Sequence, residues 1–219
     1  VVAMSAIPIF INVRDLLTPL KAQVAWLERA GHENITLLDN CSSYPPLIDY
    51  LADTPHKVVR LGENLGSHSI WLAGLAPDEP YVFTDPDIVP IDECPLDAVE
   101  HLATLLGRHD GPKVGFGLYM KDLPDTIDPG IVRWETGPEI RGTMIGDGVR
   151  QSLVDTTFAV YRGSVKEHTY RGLRTEHPYL ARHLSPGWYG GELTDEHRYY
   201  LAHAIKGPLG SSWAQAEAA

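Results

Sequence analysis

The chain of 219 residues carries 18 Lys and Arg against 29 Asp and Glu, a formal charge of −11 with histidines neutral, and is 43% hydrophobic and 21% charged. Such a composition suits one globular domain with a sizeable core. The negative charge argues against broad contact with a nucleic acid polymer or an anionic membrane, although a small anionic ligand needs only two or three local donors.

The two cysteines, Cys41 and Cys94, make no C-x-x-C and read as free thiols of a reducing compartment. No apolar run nears the ~20 residues of a membrane span, and no charged-then-apolar leader is expected. The expectation is a cytoplasmic protein without a transmembrane segment, peripheral at most, or a module of a larger chain. Residues 1–5 stay outside the fold reading, and residues 214–219 read as a fraying helix.

In chain order, Ile7–Ile11 is an apolar run that predicts a buried strand. Thr18-Pro19 predicts a helix start, with Thr18 as N-cap and proline at the first helical position. Leu20, Val24 and Leu27 continue its apolar stripe until Gly31. Ile35–Leu38 predicts a second strand, Pro45-Pro46 opens a short helix through Ala52, and Lys57–Leu61 predicts a third strand. Gly62-Glu63-Asn64-Leu65-Gly66 leads into helical sequence through Leu75, and Tyr81–Thr84 predicts a fourth strand.

This alternation predicts an α/β fold with a mostly parallel central sheet flanked by helices. Ligands of such sheets bind beyond the carboxyl ends of the strands. That rule selects the loops Asn12–Asp15, Asp39–Ser43, Gly62–Gly66 and Asp85–Asp87. Further on, Leu96–Leu106 predicts a helix, Lys113–Tyr119 a strand, residues 122–151 long surface loops, Val154–Tyr161 a strand, and Thr194–Ala204 a helix capped by Thr194. No linker divides the chain, so residues 1–219 read as a single domain.

Asp85-Pro86-Asp87 leaves the end of the fourth strand. Two carboxylates one residue apart can share a hard divalent cation, which a diphosphate would complete. The plain alternative is a solvated turn, where Asp and Pro are common. Asp39 ends the second strand and can accept from a ribose hydroxyl or a base N–H, or can close an Asx turn. Asn12 and Arg14 occupy the first loop, where Arg14 can face a base or phosphate or lie idle on the surface. Asn64, before a helix N-terminus, can donate to a nucleotide, although the loop lacks the Lys of a phosphate loop and the spacing of G-x-G-x-x-G.

There is no H-E-x-x-H and no zinc-spaced Cys/His cluster. The segment His177–Tyr189 gathers His177, Arg182, His183, Trp188 and Tyr189, which suits a sugar face and a phosphate or a surface helix that closes the core. No nucleophilic triad stands out. Candidate bases are Asp147, Asp155, Glu192 and Asp195, of which Asp155 opens an apolar strand in this reading.

Taken in order, Ile-Pro-Ile-Phe-Ile-Asn-Val-Arg, Leu-Leu-Asp-Asn-Cys-Ser-Ser, Gly-Glu-Asn-Leu-Gly and Phe-Thr-Asp-Pro-Asp resemble the GT-A glycosyltransferases, and especially glycosyltransferase family 2. The resemblance covers roughly residues 7–90 well and the rest in outline. It implies a Rossmann-like GT-A fold, with a nucleotide-binding half over about 7–110 and an acceptor-binding, metal-closing half over about 111–205. It also implies sugar transfer from a UDP-sugar or GDP-sugar to a carbohydrate or glycoconjugate acceptor, with Mn²⁺ or Mg²⁺ as cofactor. Carried over, Asp87 is the direct metal ligand, Asp85 lies nearer the ribose or a metal-bound water, Asp39 binds the nucleoside, and His183 closes the metal site from the C-terminal side. The family's catalytic base has no clean counterpart, and Asp155 fits that place loosely.

Three other readings stand beside it. Sugar nucleotidyltransferases share the architecture but open with a Gly-rich loop bearing Arg and Lys, which residues 7–20 lack. A phosphohydrolase of the haloacid dehalogenase type matches Asp85-Pro86-Asp87-Ile88-Val89, but there the motif ends the first strand. A non-enzymatic carbohydrate-binding module would need no metal-ready carboxylate pair.

Overall fold

Short strands, buried except at the edge strand Lys57–Arg60, alternate with helices through the first hundred residues of the computed structural model, which describes residues 7–125, 127, 129–155, 158–184 and 193–204. Strands β1 (Ile9–Val13), β2 (Ile35–Asp39), β3 (Lys57–Arg60) and β4 (Tyr81–Thr84) pair in parallel in the order β3-β2-β1-β4. Between them run α1 (Thr18–Arg29), α2 (Pro45–Asp53) and the short α3 (Ser69–Leu72). A brief β5 (Ile88–Pro90) and α4 (Ala98–Arg108) follow.

Beyond β4 the sheet changes direction. Strand β10 (Ala159–Tyr161) lies antiparallel between β4 and β6 (Lys113–Gly115), and β11 (Arg171–Thr175) runs parallel to β6. Antiparallel β9 (Val149–Leu153) and β8 (Thr143–Gly146) finish the nine-stranded sheet, in the order β3-β2-β1-β4-β10-β6-β11-β9-β8. The architecture is α/β with a large mixed sheet flanked by helices; the expectation of a mostly parallel sheet holds for the four leading strands, and beyond them β11 pairs in parallel with β6 within an otherwise antiparallel half.

A second, three-stranded sheet is built from β5, β12 (Leu180–His183) and β7 (Gly117–Leu118). The single strand expected over Lys113–Tyr119 is thus split between two sheets. Gly117 permits the hand-over, because a Cβ there would stand 2.4 Å from the Thr175 carbonyl oxygen.

Alternation along the strands divides the core. Ile9, Ile11, Leu37, Val82, Val114 and Val160 face the larger cluster, which takes Leu20, Val24 and Leu27 from α1, Leu47 from α2 and Leu102 from α4. Each such side chain contributes about 1.5–3 kcal/mol on full burial. Tyr81, Phe83, Ala159 and Tyr161 face the other side, in a smaller cluster with Ile70 and Trp71 of α3 and with Leu75, Val154 and Val165.

Residues 122–151 are not long loops. They hold α5 (Pro129–Glu135), α6 (Pro138–Arg141), β8 and most of β9. Pro129 and Pro138 begin helices rather than break them, and the Arg174–Glu135 ion pair, at 2.8 Å and nearly dry, ties α5 to β11. Nor is Val154–Tyr161 one strand, since β9 ends at Leu153 and β10 begins at Ala159.

The C-terminal helix α7 (Asp195–His203) starts as expected, with the Thr194 hydroxyl accepting from the His197 N–H. Thr18 does not cap α1; Leu17 occupies that position and supplies no side-chain bond. The orphan donors are met from α7 instead. The buried Glu196 carboxylate accepts from the Leu17 N–H at 2.5 Å, the Thr18 N–H at 2.9 Å and the Thr18 hydroxyl at 2.7 Å. A carboxylate at that end also complements the positive pole of the helix.

Replacing Glu196 by Ala is therefore expected to cost about 1.5–3 kcal/mol, read as a lower urea midpoint with an unchanged slope. A midpoint equal to the parent's would remove Glu196 from this role.

Candidate functional site

Asp85-Pro86-Asp87 connects the carboxyl end of β4 to β5. It is gripped from both faces of the sheet. From the α1 side, the fully buried Gln23 amide donates to Thr84 Oγ1 at 3.1 Å, to the Asp85 carbonyl at 3.0 Å and to the Ile88 carbonyl at 2.6 Å. From the α3 side, Asn12 Nδ2 reaches Asp85 Oδ1 at 3.4 Å, while Asn12 Oδ1 accepts from the Ser69 hydroxyl at 2.8 Å.

Asp87 is nearly buried, and its carbonyl accepts from the Leu184 N–H at 2.7 Å. Antiparallel pairing of β12 with β5 sets His183 opposite Ile88. The imidazole Nε2 then stands 3.3 Å from Asp87 Oδ2. Burial pushes this imidazole down, but the charge and hydrogen bond of Asp87, with Asp85 and Glu135 behind them, push it up further, and the net direction is upward.

The neighbouring loops are stitched together by amides. Asn40 Nδ2 donates to the Gly66 carbonyl at 2.8 Å and its Oδ1 accepts from the Leu65 N–H at 2.7 Å. Asn12 Nδ2 also reaches the Gly66 carbonyl, at 3.3 Å, so β1, β2 and the loop after β3 share one anchor. Asn64 Oδ1 accepts from the Gly66 N–H at 2.8 Å, which closes an Asx turn at the head of that loop.

Asp39 is buried at the end of β2. Its Oδ1 accepts from the Ser42 N–H at 2.9 Å, and its Oδ2 pairs at 2.7 Å with Arg60, whose side chain is half exposed. A carboxylate offers about four lone-pair sites, so these two partners leave capacity for another donor. Arg14 is spent on backbone: its guanidinium donates to the Asn40 carbonyl at 3.0 Å, the Cys41 carbonyl at 2.8 Å and the His203 carbonyl at 3.0 Å. It fastens the β2 loop to the end of α7.

Asp155 does not open a strand. It follows β9 in an irregular stretch, with a side chain 60% exposed. Beneath it lies a dry polar cluster. Lys113, fully buried, donates to the Asp155 carbonyl at 3.0 Å and to Tyr161 Oη at 3.2 Å. Burial brings its ammonium down to about 7 against the opposing pull of Asp155 and Asp85. His168 Nε2 is 3.9 Å from Asp155 Oδ1, and the ring stacks on His68 with centroids 4.2 Å apart. Asp147 lies between β8 and β9 and pairs with His109, and Asp195 is the exposed first residue of α7. Trp188, Tyr189 and Glu192 lie outside the described residues.

The structure therefore brings Asn12, Asp85, Asp87 and His183 together, sets Asp39 and Asn64 in adjoining loops, and places Asp155 over the Lys113 cluster. Among the described residues no group of three or more His, Cys, Asp or Glu is arranged to hold a metal ion. Asp87 and His183 form a two-donor set. Their spacing suits neighbouring ligands of one octahedral cation, which stand about 3 Å apart when each bond is about 2.1 Å. Sequence reading placed Asn40 in a selected loop without giving it a role and passed over Gln23 and Lys113; a glutamine inside the Leu20-Val24-Leu27 stripe was the visible signal for Gln23. No protein-family model matches the chain, and no curated relative matches it.

His168 makes the fold acid-sensitive. Burial lowers its imidazole to about 4, with His68 and Lys113 adding to the effect and Asp155 opposing it. Between the unfolded value of 6.5 and about 4, the unfolded chain takes up a proton that the folded ring refuses. Stability is expected to fall as pH drops through this window, by on the order of 2–3 kcal/mol. Urea midpoints measured across it should flatten in His168→Phe, and an unchanged pH dependence in that variant would assign the effect elsewhere.

Proposed function

We propose that this chain is a divalent-cation-dependent glycosyltransferase of the GT-A type, acting on a UDP-sugar or GDP-sugar donor and a carbohydrate or glycoconjugate acceptor. One observation carries the reading: the carboxylate pair ending the fourth parallel strand is met, at 3.3 Å from Asp87, by an imidazole delivered from a strand nearly a hundred residues later. A solvated turn needs no such partner. A mixed α/β sheet with its polar loops at the carboxyl ends of β1 to β4 is compatible with the Rossmann-like expectation.

In this reading Asp87 and His183 hold Mn²⁺ or Mg²⁺, with the imidazole favouring Mn²⁺. The bound cation supplies charge neutralisation for the departing nucleoside diphosphate. Asp85, oriented by Asn12, faces the ribose or a cation-bound water. Asp39 accepts from the nucleoside through its spare lone pairs. Asn64 shapes the loop beneath the donor, and Arg14 holds the β2 loop in place. The exposed Asp155 takes the proton from the acceptor hydroxyl as it attacks. A cytoplasmic location belongs to the same reading; among the described residues no helix is long and apolar enough to cross a membrane.

Calorimetry with UDP and GDP, with and without Mn²⁺, tests the assignment. Binding is expected to require the cation, because three acidic groups and a diphosphate otherwise crowd like charges. Asp87→Ala and His183→Ala should each weaken the Mn²⁺-dependent component by at least about tenfold while melting stays cooperative. Full affinity in Asp87→Ala would sink the assignment.

A further inference from the structure

The D-P-D turn is held from beneath by a side chain that no motif marks. Gln23 sits mid-way along α1, within the apolar stripe that packs on the sheet, and is fully buried. Burying an amide there is costly unless its hydrogen bonds are replaced, and here the NH₂ end is replaced while Oε1 has no partner among the described residues. Its NH₂ group meets three acceptors that bracket the turn: Thr84 Oγ1 before it, the carbonyl of Asp85 within it, and the carbonyl of Ile88 just after it. Thr84 Oγ1 itself donates to the Asp85 carbonyl at 2.9 Å, which ties the set together.

The chemistry of the turn explains the amide. Pro86 has no N–H and fixes its own φ, so the turn has fewer donors of its own. If position 23 were leucine or methionine, the Ile88 carbonyl would lose this donor and the Asp85 carbonyl would keep only the Thr84 hydroxyl of the donors described. One carboxamide supplies both donors and spans the distance from β4 to β5. On the opposite side, the Leu184 N–H bonds to the Asp87 carbonyl. The Asp87 backbone is thus clamped between α1 and the end of β12.

We infer that Gln23 is a positioning residue for the cation-binding turn, fixing the backbone so that the Asp87 carboxylate meets His183 and the Asp85 carboxylate meets Asn12. The inference rests on the proposed cation site, and it requires that losing the amide disturb the turn locally rather than the whole domain.

Two readouts on the full chain test it. The first is amide hydrogen exchange at Leu184, which reports the turn without any cation. The second is Mn²⁺ uptake in the presence of UDP or GDP, followed by electron paramagnetic resonance. Gln23→Met keeps the volume and removes the donors. It should speed exchange at Leu184 and weaken Mn²⁺ uptake by about tenfold or more, the usual scale for outer-shell partners. Thr84→Val, a milder change that deletes one acceptor of Gln23 and the hydroxyl donated to the Asp85 carbonyl, should act in the same direction by a few-fold, and decides the matter if Gln23→Met does not fold. Leu102→Ala, which weakens the core on α4 away from the turn, should leave both readouts at the parent's level where the protein is folded. Parent-like exchange and uptake in both turn variants would overturn the inference, as would an equal loss in Leu102→Ala. If the parent takes up no Mn²⁺ while Gln23→Met still speeds exchange at Leu184, the cation reading fails and the structural clamp stands.

Discussion

The antiparallel pairing of β12 with β5 is the contact on which the candidate site depends. Three residue pairs define it, Ala181 with Pro90, Arg182 with Val89 and His183 with Ile88. A slip of one residue would turn His183 to the opposite face of this small sheet and carry Leu184 away from the Asp87 carbonyl. The register is held from the side by the Arg182–Asp122 ion pair at 2.6 Å and by the Arg182 guanidinium over the Tyr119 ring. Parallel pairing with β7 adds a third strand and gives β12 neighbours on both edges.

The site also shows how an acidic chain manages its own charge. Asp39, Asp85 and Asp87 all lie at the carboxyl edge of the parallel strands, where their repulsion opposes folding. Arg60 answers Asp39 and His183 answers Asp87, while Asp85 is held by the Asn12 amide. On the far side of β4, Lys113 places an amine under Asp155 in a wholly dry setting. Two histidines stack beside it and resist protonation. The two regions thus have opposite characters. The imidazole at the edge gains its proton more readily, and those in the second core lose theirs more readily.

The first half of the fold was legible because its strands are short apolar runs and its helices carry a clean 3.6-residue stripe. The polar loops after β1 to β4 follow directly from the ends of those runs. The second half was harder for identifiable reasons. Proline and glycine between residues 122 and 151 read as loop, yet Pro129 and Pro138 open helices. Strands of three residues such as β6 and β10 carry too little periodicity to set their direction, so the mixed character of the sheet could not be seen. His183 and Asp87 were named from the sequence, but their meeting depends on long-range register. Gln23, Lys113 and Glu196 escaped because each acts on backbone groups far away in the chain. Local pattern holds no trace of those partners.

The Glu196 cap on α1 joins segments 178 residues apart. Arg14 on the His203 carbonyl and Tyr199 on Ser43 run alongside it, so the last described helix is sewn to the first two loops of the sheet. Closing so long a chain segment is entropically expensive, and contacts of that separation form after the local ones have been made. Interactions made after the transition state govern how fast a protein comes apart rather than how fast it assembles. The docking of α7 is in this sense a latch, expected to set the lifetime of the folded loops after β1 and β2 more than the speed at which they form.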